Sequence, residues 1–334
     1  MTNALRTSWH RAAMLGALLA APLAARAQTI ELQLPIDCEV GRSCFIQNYV
    51  DHDASPNARD YQCGTLTYNG HDGTDFRLTS LVAQRAGVNV LAVANGRVLR
   101  MRDGVVDVLQ KPSETPPADD RACGNGIVIS HVDGWETQYC HLARGSVTVK
   151  PGDRVAGGQS IARVGLSGRT QFPHLHLTVR HQGRVIDPFA FGTREESCGE
   201  GVSLWTASQR TALAYRERVV LNAGFAAGRV TSEQIEAGEV GRSGPPADAP
   251  ALTAFVRAIG LRTGDVQRLS VIAPDGQLFA EHTERPLDRS KAQYVLFIGK
   301  NRPSTGWPLG SYQASYTVTN AGRVVLEQRF SLSF

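Results

Sequence analysis

The sequence predicts an all-β chain built of an antiparallel, glycine-punctuated β-sheet unit followed by a β-sandwich. Three observations carry that expectation. Short runs rich in Val, Ile, Thr and aromatic residues recur along the chain, bounded by Gly, Pro, Asn and Asp. All six cysteines lie before residue 200, and six of the nine histidines fall between residues 71 and 181, so the two halves differ in chemistry. Beyond residue 250 the strand candidates follow one another at short, regular spacing, as a sandwich requires.

The first 27 residues are read as a secretory signal peptide. Arg6 and Arg11 precede an apolar run from Ala12 to Ala25, and Ala25-Arg26-Ala27 offers a small-x-small cleavage site. Cleavage after Ala27 leaves 307 of the 334 residues and removes three arginines, so 32 basic side chains face 31 acidic ones. That balance gives no ground for nucleic acid as a partner. No later apolar stretch approaches the ~20 residues needed to span a bilayer, so a periplasmic or secreted protein without a membrane span is expected. Six cysteines and no Cys-x-x-Cys pair favour disulfides over a cysteine-zinc cluster, with the pairing left open.

Residues 28–63 read as a loop-rich segment with a short strand over Phe45 to Val50. Asp51-His52-Asp53 is expected to be a solvated turn, given Ser55-Pro56-Asn57. Residues 64–195 form the sheet unit. Gly70-His71-Asp72-Gly73-Thr74-Asp75 reads as a loop entering a strand, because its two glycines argue against a helix. Val88 to Met101 reads as two strands split at Asn95-Gly96, a hairpin signal. Asp103 to Gly126, with Pro112, Pro116 and Pro117, is expected to be an exposed loop. Gly126 to His131 and Trp135 to Leu142 read as antiparallel strands joined at Asp133-Gly134, the second presenting Trp135, Thr137, Tyr139 and His141 on one face. Val147 to Val164 offers short strands between glycine turns, and no helix is expected in this unit.

Pro173 to Arg180 is the most informative strand. Residues two apart share a face, so His174 and His176 project together, about 6.6 Å apart along the strand. Leu175, Leu177 and Val179 face the other way, toward a core. Residues 200–334 hold the sandwich, preceded by a short helix after Thr206, a strand through Arg218 to Leu221 and a helical turn at Thr231 to Glu236. Its strands are expected at Leu252–Leu261, Val266–Ala273, Leu278–His282, Gln293–Ile298, Ser311–Val318 and Val324–Phe334. Its one histidine, His282, belongs to no reactive group, so this half reads as a binding or packing module.

The clustered histidines point to a metal. His71, Asp75 and one strand histidine supply two nitrogens and one oxygen and leave a fourth position open, the pattern of hydrolytic zinc sites. Spacing alone does not choose between His174 and His176. His131 and His181 read as structural or solvent-facing, and Ser167-Gly168 lacks the setting of a nucleophilic serine. Lys150 to Gln159 also has the turn pattern of a lipoyl or biotinyl carrier hairpin, without the exposed lysine.

His71-x-x-x-Asp75, Tyr139-Cys140-His141-Leu142, Lys150-Pro151-Gly152-Asp153-x-Val155-x-x-Gly158-Gln159 and Pro173-His174-Leu175-His176 occur together and in order. Over residues 64–191 this resembles the lysostaphin/LytM-type zinc metallopeptidases, which cut peptide cross-links of bacterial peptidoglycan. The resemblance implies the duplicated hybrid motif fold, with a groove across a small antiparallel sheet. It implies zinc as cofactor, peptidoglycan peptides as substrate, His71, Asp75 and His176 as zinc ligands, and His141 and His174 as catalytic histidines. Two departures stand out: the long Asp103–Gly126 insertion, and Gln171-Phe172-Pro173 where the family tends to carry Gly-Pro. The C-terminal half is similar to the immunoglobulin-like sandwiches of exported enzymes, which implies a protein partner for it. A non-catalytic regulator of another wall hydrolase is the alternative. A latent enzyme is a further one, with residues 28–64 over the groove and Asn48 or His52 at the open zinc position.

Overall fold

The structure, a computed structural model, describes residues 1–2, 29–111, 121–193, 197–199, 201–241 and 243–334. The expected signal peptide, its cleavage site and Pro112, Pro116 and Pro117 lie outside the described residues.

Strands dominate, all paired antiparallel. In chain order the N-terminal half carries β1 (Cys44–Asn48), β2 (Thr74–Leu78), helix α1 (Leu81–Arg85), β3 (Asn89–Leu91), β4 (Gly96–Arg102), β5 (Asn125–Ser130), β6 (Trp135–Leu142), β7 (Arg154–Val155), β8 (Ser160–Arg163), β9 (His174–His181) and β10 (Arg184–Ile186). One eight-stranded sheet runs β1-β2-β9-β6-β5-β4-β7, with β10 also on β9, and a small β3-β8 sheet packs with it. Alternation along the strands does the sorting. Leu175, Leu177 and Val179 of β9, Phe76 and Leu78 of β2, and Ile127 and Ile129 of β5 enter one buried cluster. The opposite face of β2 and β9 carries Asp75, His174 and His176.

Several local expectations are corrected. Asn95-Gly96 makes no hairpin: β3 pairs with β8, whereas β4 pairs with β5 and β7. Gly96 is needed for closeness rather than for a turn, since a Cβ there would lie 2.5 Å from both Ile129 Cγ2 and the Ser130 carbonyl. The sheet unit does contain a short α-helix, α1, whose N-cap Ser80 accepts from the Ala83 amide. Among its described residues, the Asp103–Gly126 stretch is tethered: Asp103 accepts from the Gly145 amide, Asp107 from those of Arg144 and Leu166, and Asn125 exchanges two hydrogen bonds with Val105.

The described segment before residue 64 is built into the sheet unit rather than laid over it as a separate cover. It supplies β1, and Ile30, Leu32, Ile36 and Cys44 belong to the same cluster as the strands of the sheet. Asp51 is an organiser, not a solvated turn: Oδ1 accepts from the amides of Asp53 and Arg59, and Oδ2 from Gly70. The cysteines pair Cys38–Cys44, Cys63–Cys198 and Cys123–Cys140.

The C-terminal half holds α2 (Ala207–Ala212), β11 (Val219–Ala226), α3 (Ser232–Ala237), β12 (Ala251–Leu261), β13 (Val266–Ile272), β14 (Leu278–Thr283), β15 (Lys291–Asn301), β16 (Ser311–Asn320) and β17 (Arg323–Ser333). A three-stranded sheet β11-β12-β15 and a four-stranded sheet β14-β13-β16-β17 contribute residues such as Val256, Leu296, Leu269 and Tyr316 to one core. Among the described residues no helix is long and apolar enough to cross a membrane.

Candidate metal centre

His71, Asp75 and His176 converge where the loop before β2 meets the middle of the sheet. Asp75 and His176 are direct cross-strand partners, so their side chains leave the same face side by side. His71 reaches them from the Gly70–Gly73 turn. Gly73 has a steric role there, because a Cβ would lie 2.6 Å from His176 Nε2. Asp75 Oδ1 lies 2.9 Å from His176 Nδ1 and 3.2 Å from His71 Nε2, and those two nitrogens are 3.2 Å apart. Tetrahedral zinc with bonds of about 2.0–2.1 Å needs ligand atoms roughly 3.3 Å apart. The triangle fits such an ion.

Each ligand's remaining polar atom is engaged, which aims the other one inward. His71 Nδ1 hydrogen-bonds the Tyr49 carbonyl at 2.6 Å, leaving Nε2 for a metal. Asn48 Nδ2 donates to Asp75 Oδ2 at 2.8 Å, leaving Oδ1. His176 uses Nε2 on Asp72 and Thr178, at 3.2 and 3.1 Å, leaving Nδ1. Asp72 is in turn bound by Arg180. Asn48 therefore meets the site through Asp75, and His52 is turned away onto Asp187 at 2.8 Å.

Electrostatics match this arrangement. Burial alone would raise the Asp75 carboxyl, but His71, His174 and His176 hold it well below the usual carboxylate range. Burial opposes charge on His176, yet Asp72 and Asp75 raise it to about 9. Asp75 is thus held as a carboxylate, and the cation that the two acids favour on His176 is the kind of charge a metal ion would supply in its place.

His141 and His174 stand beside the triad, their rings 4.6 Å apart, with His141 6.0 Å from His176. Both are tethered through Nδ1, His141 to the Ser167 carbonyl at 2.9 Å and His174 to that of Phe172 at 2.9 Å. A carbonyl can only accept, so Nδ1 carries the proton and Nε2 faces the site with a lone pair. Burial lowers the pKa of both rings, well below the ordinary value for His141. All five residues are between 2 and 9% exposed.

Strict alternation puts His141 on the face of Trp135, Thr137 and Tyr139, and the structure does not. Gly126 of β5 stands opposite both Cys140 and His141 of β6, a β-bulge, and His141 adopts φ 62°. The extra residue lets Tyr139 and Leu142 both enter the core while Cys140 and His141 stay on the site face. His131 lies apart, bonded to the Asn95 carbonyl and the Thr137 hydroxyl, and His181 bonds the Asp133 carbonyl. Sequence reasoning missed Asp72 and Thr178. Thr178 was within reach, two residues from His176 on the same strand face, but Asp72 carried only its adjacency to His71 as a signal.

Residues 69–188 match Peptidase family M23. Peptidoglycan DD-endopeptidase ShyB of Vibrio cholerae serotype O1 is 34% identical over 117 residues, covering 35% of this chain and 22% of that protein. Cell division protein DipM of Caulobacter vibrioides is 32% identical over 101 residues, covering 30% of this chain and 15% of that one. Among solved structures, a zinc-containing peptidase from Vibrio cholerae is 28% identical, with 44% of this chain and 39% of that chain covered, at a TM-score of 0.28. The chain thus spans less than a quarter of the length of these two curated relatives.

Proposed function

We propose, starting from the M23 peptidase domain that residues 69–188 form, that this protein is an exported zinc metalloendopeptidase acting on the peptide cross-links of bacterial peptidoglycan. The single observation that carries the reading is the triangle of His71 Nε2, Asp75 Oδ1 and His176 Nδ1, with every outer atom of the three ligands already engaged. His71, Asp75 and His176 would hold the zinc. A zinc ion in such a site supplies Lewis acidity, polarising a carbonyl and lowering the pKa of water to ~7.

The chain's own residues do the rest. His141 and His174 present unprotonated Nε2 atoms toward the site, so either can accept a proton from the attacking water. Once protonated, the same ring donates to the developing oxyanion or to the leaving amine. The Ser167 and Phe172 carbonyls keep both rings in the tautomer this needs. Export to the periplasm or beyond rests on the leader sequence and the three disulfides. The C-terminal half is read as an immunoglobulin-like accessory domain.

Purified protein should lower the turbidity of cell-wall sacculi and release cleaved cross-link peptides, and chelation or His176→Ala should abolish both. Full activity in a zinc-free His176→Ala protein overturns the reading. A non-catalytic regulator is the second reading, drawn from the similarity to a protein named for cell division. It requires a chain that binds little zinc, so elemental analysis separates the two.

A further inference from the structure

Two guanidiniums from different halves of the chain meet on one carboxylate. Glu236 of α3 accepts from Arg77 of β2 at 2.6 Å and from Arg257 of β12 at 2.5 Å, both on Oε2. The three are 8, 2 and 0% exposed. Arg77 also donates to Gln47 at 2.8 Å, and Arg257 to Asn222 and to the Thr79 carbonyl.

Arg77 is placed where it matters. It is the direct cross-strand partner of His174, on the same face as Asp75. Its Cζ lies 4.2 Å from the ring centroid of Phe172, and that ring is 4.6 Å from the ring of His174. Phe172 therefore holds His174 twice, through its ring and through the carbonyl that accepts the Nδ1–H hydrogen bond.

We propose that Glu236 is a positioning residue for His174, acting through Arg77 and the Phe172 ring, so that the C-terminal half completes the peptidase site. The inference rests on the peptidase reading for the role of His174. Glu236 is the carboxylate shared by both buried cations, and without it Arg77 and Arg257 repel each other in a low-dielectric setting. Arg77 then leaves the face of Phe172, and the ring that backs His174 loses its own support. A guanidinium that stands over a ring while donating from separate nitrogens to Glu236 and Gln47 is not replaced by an ammonium, which carries the charge without the fork of donors.

The test uses the full-length zinc-loaded protein and a purified cross-linked muropeptide dimer as substrate. Glu236→Gln and Arg77→Lys should each lower kcat about tenfold or more, because small displacements of a catalytic group cost rate steeply. KM should stay within about twofold and zinc at its wild-type stoichiometry, which separates lost positioning from lost binding or lost metal. Adding Phe172→Leu to Glu236→Gln should cost little more than either alone, since both act on one ring. The 15N resonances of the His174 ring should shift in Glu236→Gln. Of the two variants, whichever is soluble with wild-type zinc decides. Unchanged kcat or unmoved His174 resonances in that variant overturns the inference. If the wild-type zinc protein cleaves nothing, the peptidase reading has failed separately, and the His174 resonances alone decide the positioning.

Discussion

His71 is held by the carbonyl of Tyr49, 2.6 Å from its Nδ1, so a residue from the segment before the family-matched region orients a proposed metal ligand. Asn48, the neighbour of Tyr49, does the same for Asp75. The two contacts come from the end of one edge strand and the residue after it. They tie the candidate metal site to a part of the chain that the site motifs do not include.

Removal of residues 28–63 is therefore expected to destroy the site and not to unmask it. The deletion takes away β1, the core residues Leu32, Ile36 and Cys44, and both outer contacts. The truncated protein should bind no zinc and melt at a far lower temperature than the full chain, if it is soluble at all. A truncated protein with raised activity on sacculi contradicts this and restores the latent-enzyme idea.

The outer contacts have their own cost. Asn48→Ala and Asp72→Asn should each weaken zinc binding about 10–100-fold while the fold persists. Competition with a chromophoric chelator measures this directly. His71→Ala, Asp75→Ala or His176→Ala removes a ligand and should leave no bound zinc at micromolar metal.

His141→Ala and His174→Ala are expected to separate metal from chemistry. Neither belongs to the ligand triangle, so each variant should retain zinc. Each should lose about 10²–10⁴-fold in kcat, the usual contribution of a positioned acid or base. Elemental analysis together with steady-state kinetics on the same preparation checks both halves of the statement.

Acid should weaken the fold through His131, which lies outside the metal site. Burial lowers its pKa more than the Asn95 carbonyl and Glu136 raise it. In the unfolded chain the ring titrates near ~6.5. Below that pH the unfolded state binds more protons than the folded one, so stability falls as pH falls, until the folded-state pKa is passed. His131→Gln keeps a polar group near Thr137 and cannot titrate, so its melting temperature should fall less than that of wild type as pH drops below ~6.5. Parallel curves for the two proteins contradict this.

How much of this was legible beforehand depends on which rule each residue obeys. Leu175, Leu177 and Val179 follow strict alternation, so the face opposite them, with His174 and His176, was readable from residue types alone. His141 breaks the alternation at a bulge, and nothing in Tyr139-Cys140-His141-Leu142 announces a left-handed residue there. The family resemblance pointed to His141 as catalytic, where periodicity set it only on one face with Trp135, Thr137 and Tyr139. Asn95-Gly96 has the composition of a hairpin turn, but Gly96 answers to the crowding of Ile129 and Ser130, a tertiary demand with no local signature. The carbonyls of Tyr49, Ser167 and Phe172 carry no side-chain signal at all. Disulfide pairing among six cysteines likewise needs the fold before it can be chosen.

The Cys63–Cys198 bond spans 135 residues and joins the chain just before the M23 region to the chain just after it. Closing a loop of that length removes roughly 5 kcal/mol of chain entropy from the unfolded state in the simplest account. It has a second effect on the lifetime of the protein among other hydrolases. One backbone cut anywhere between residues 63 and 198 leaves two pieces that are still one covalent molecule, with both ends of the break free to be held in register by the sheet. Separating those two pieces then takes a reductant, so a single nick does not by itself release either half of the sheet unit.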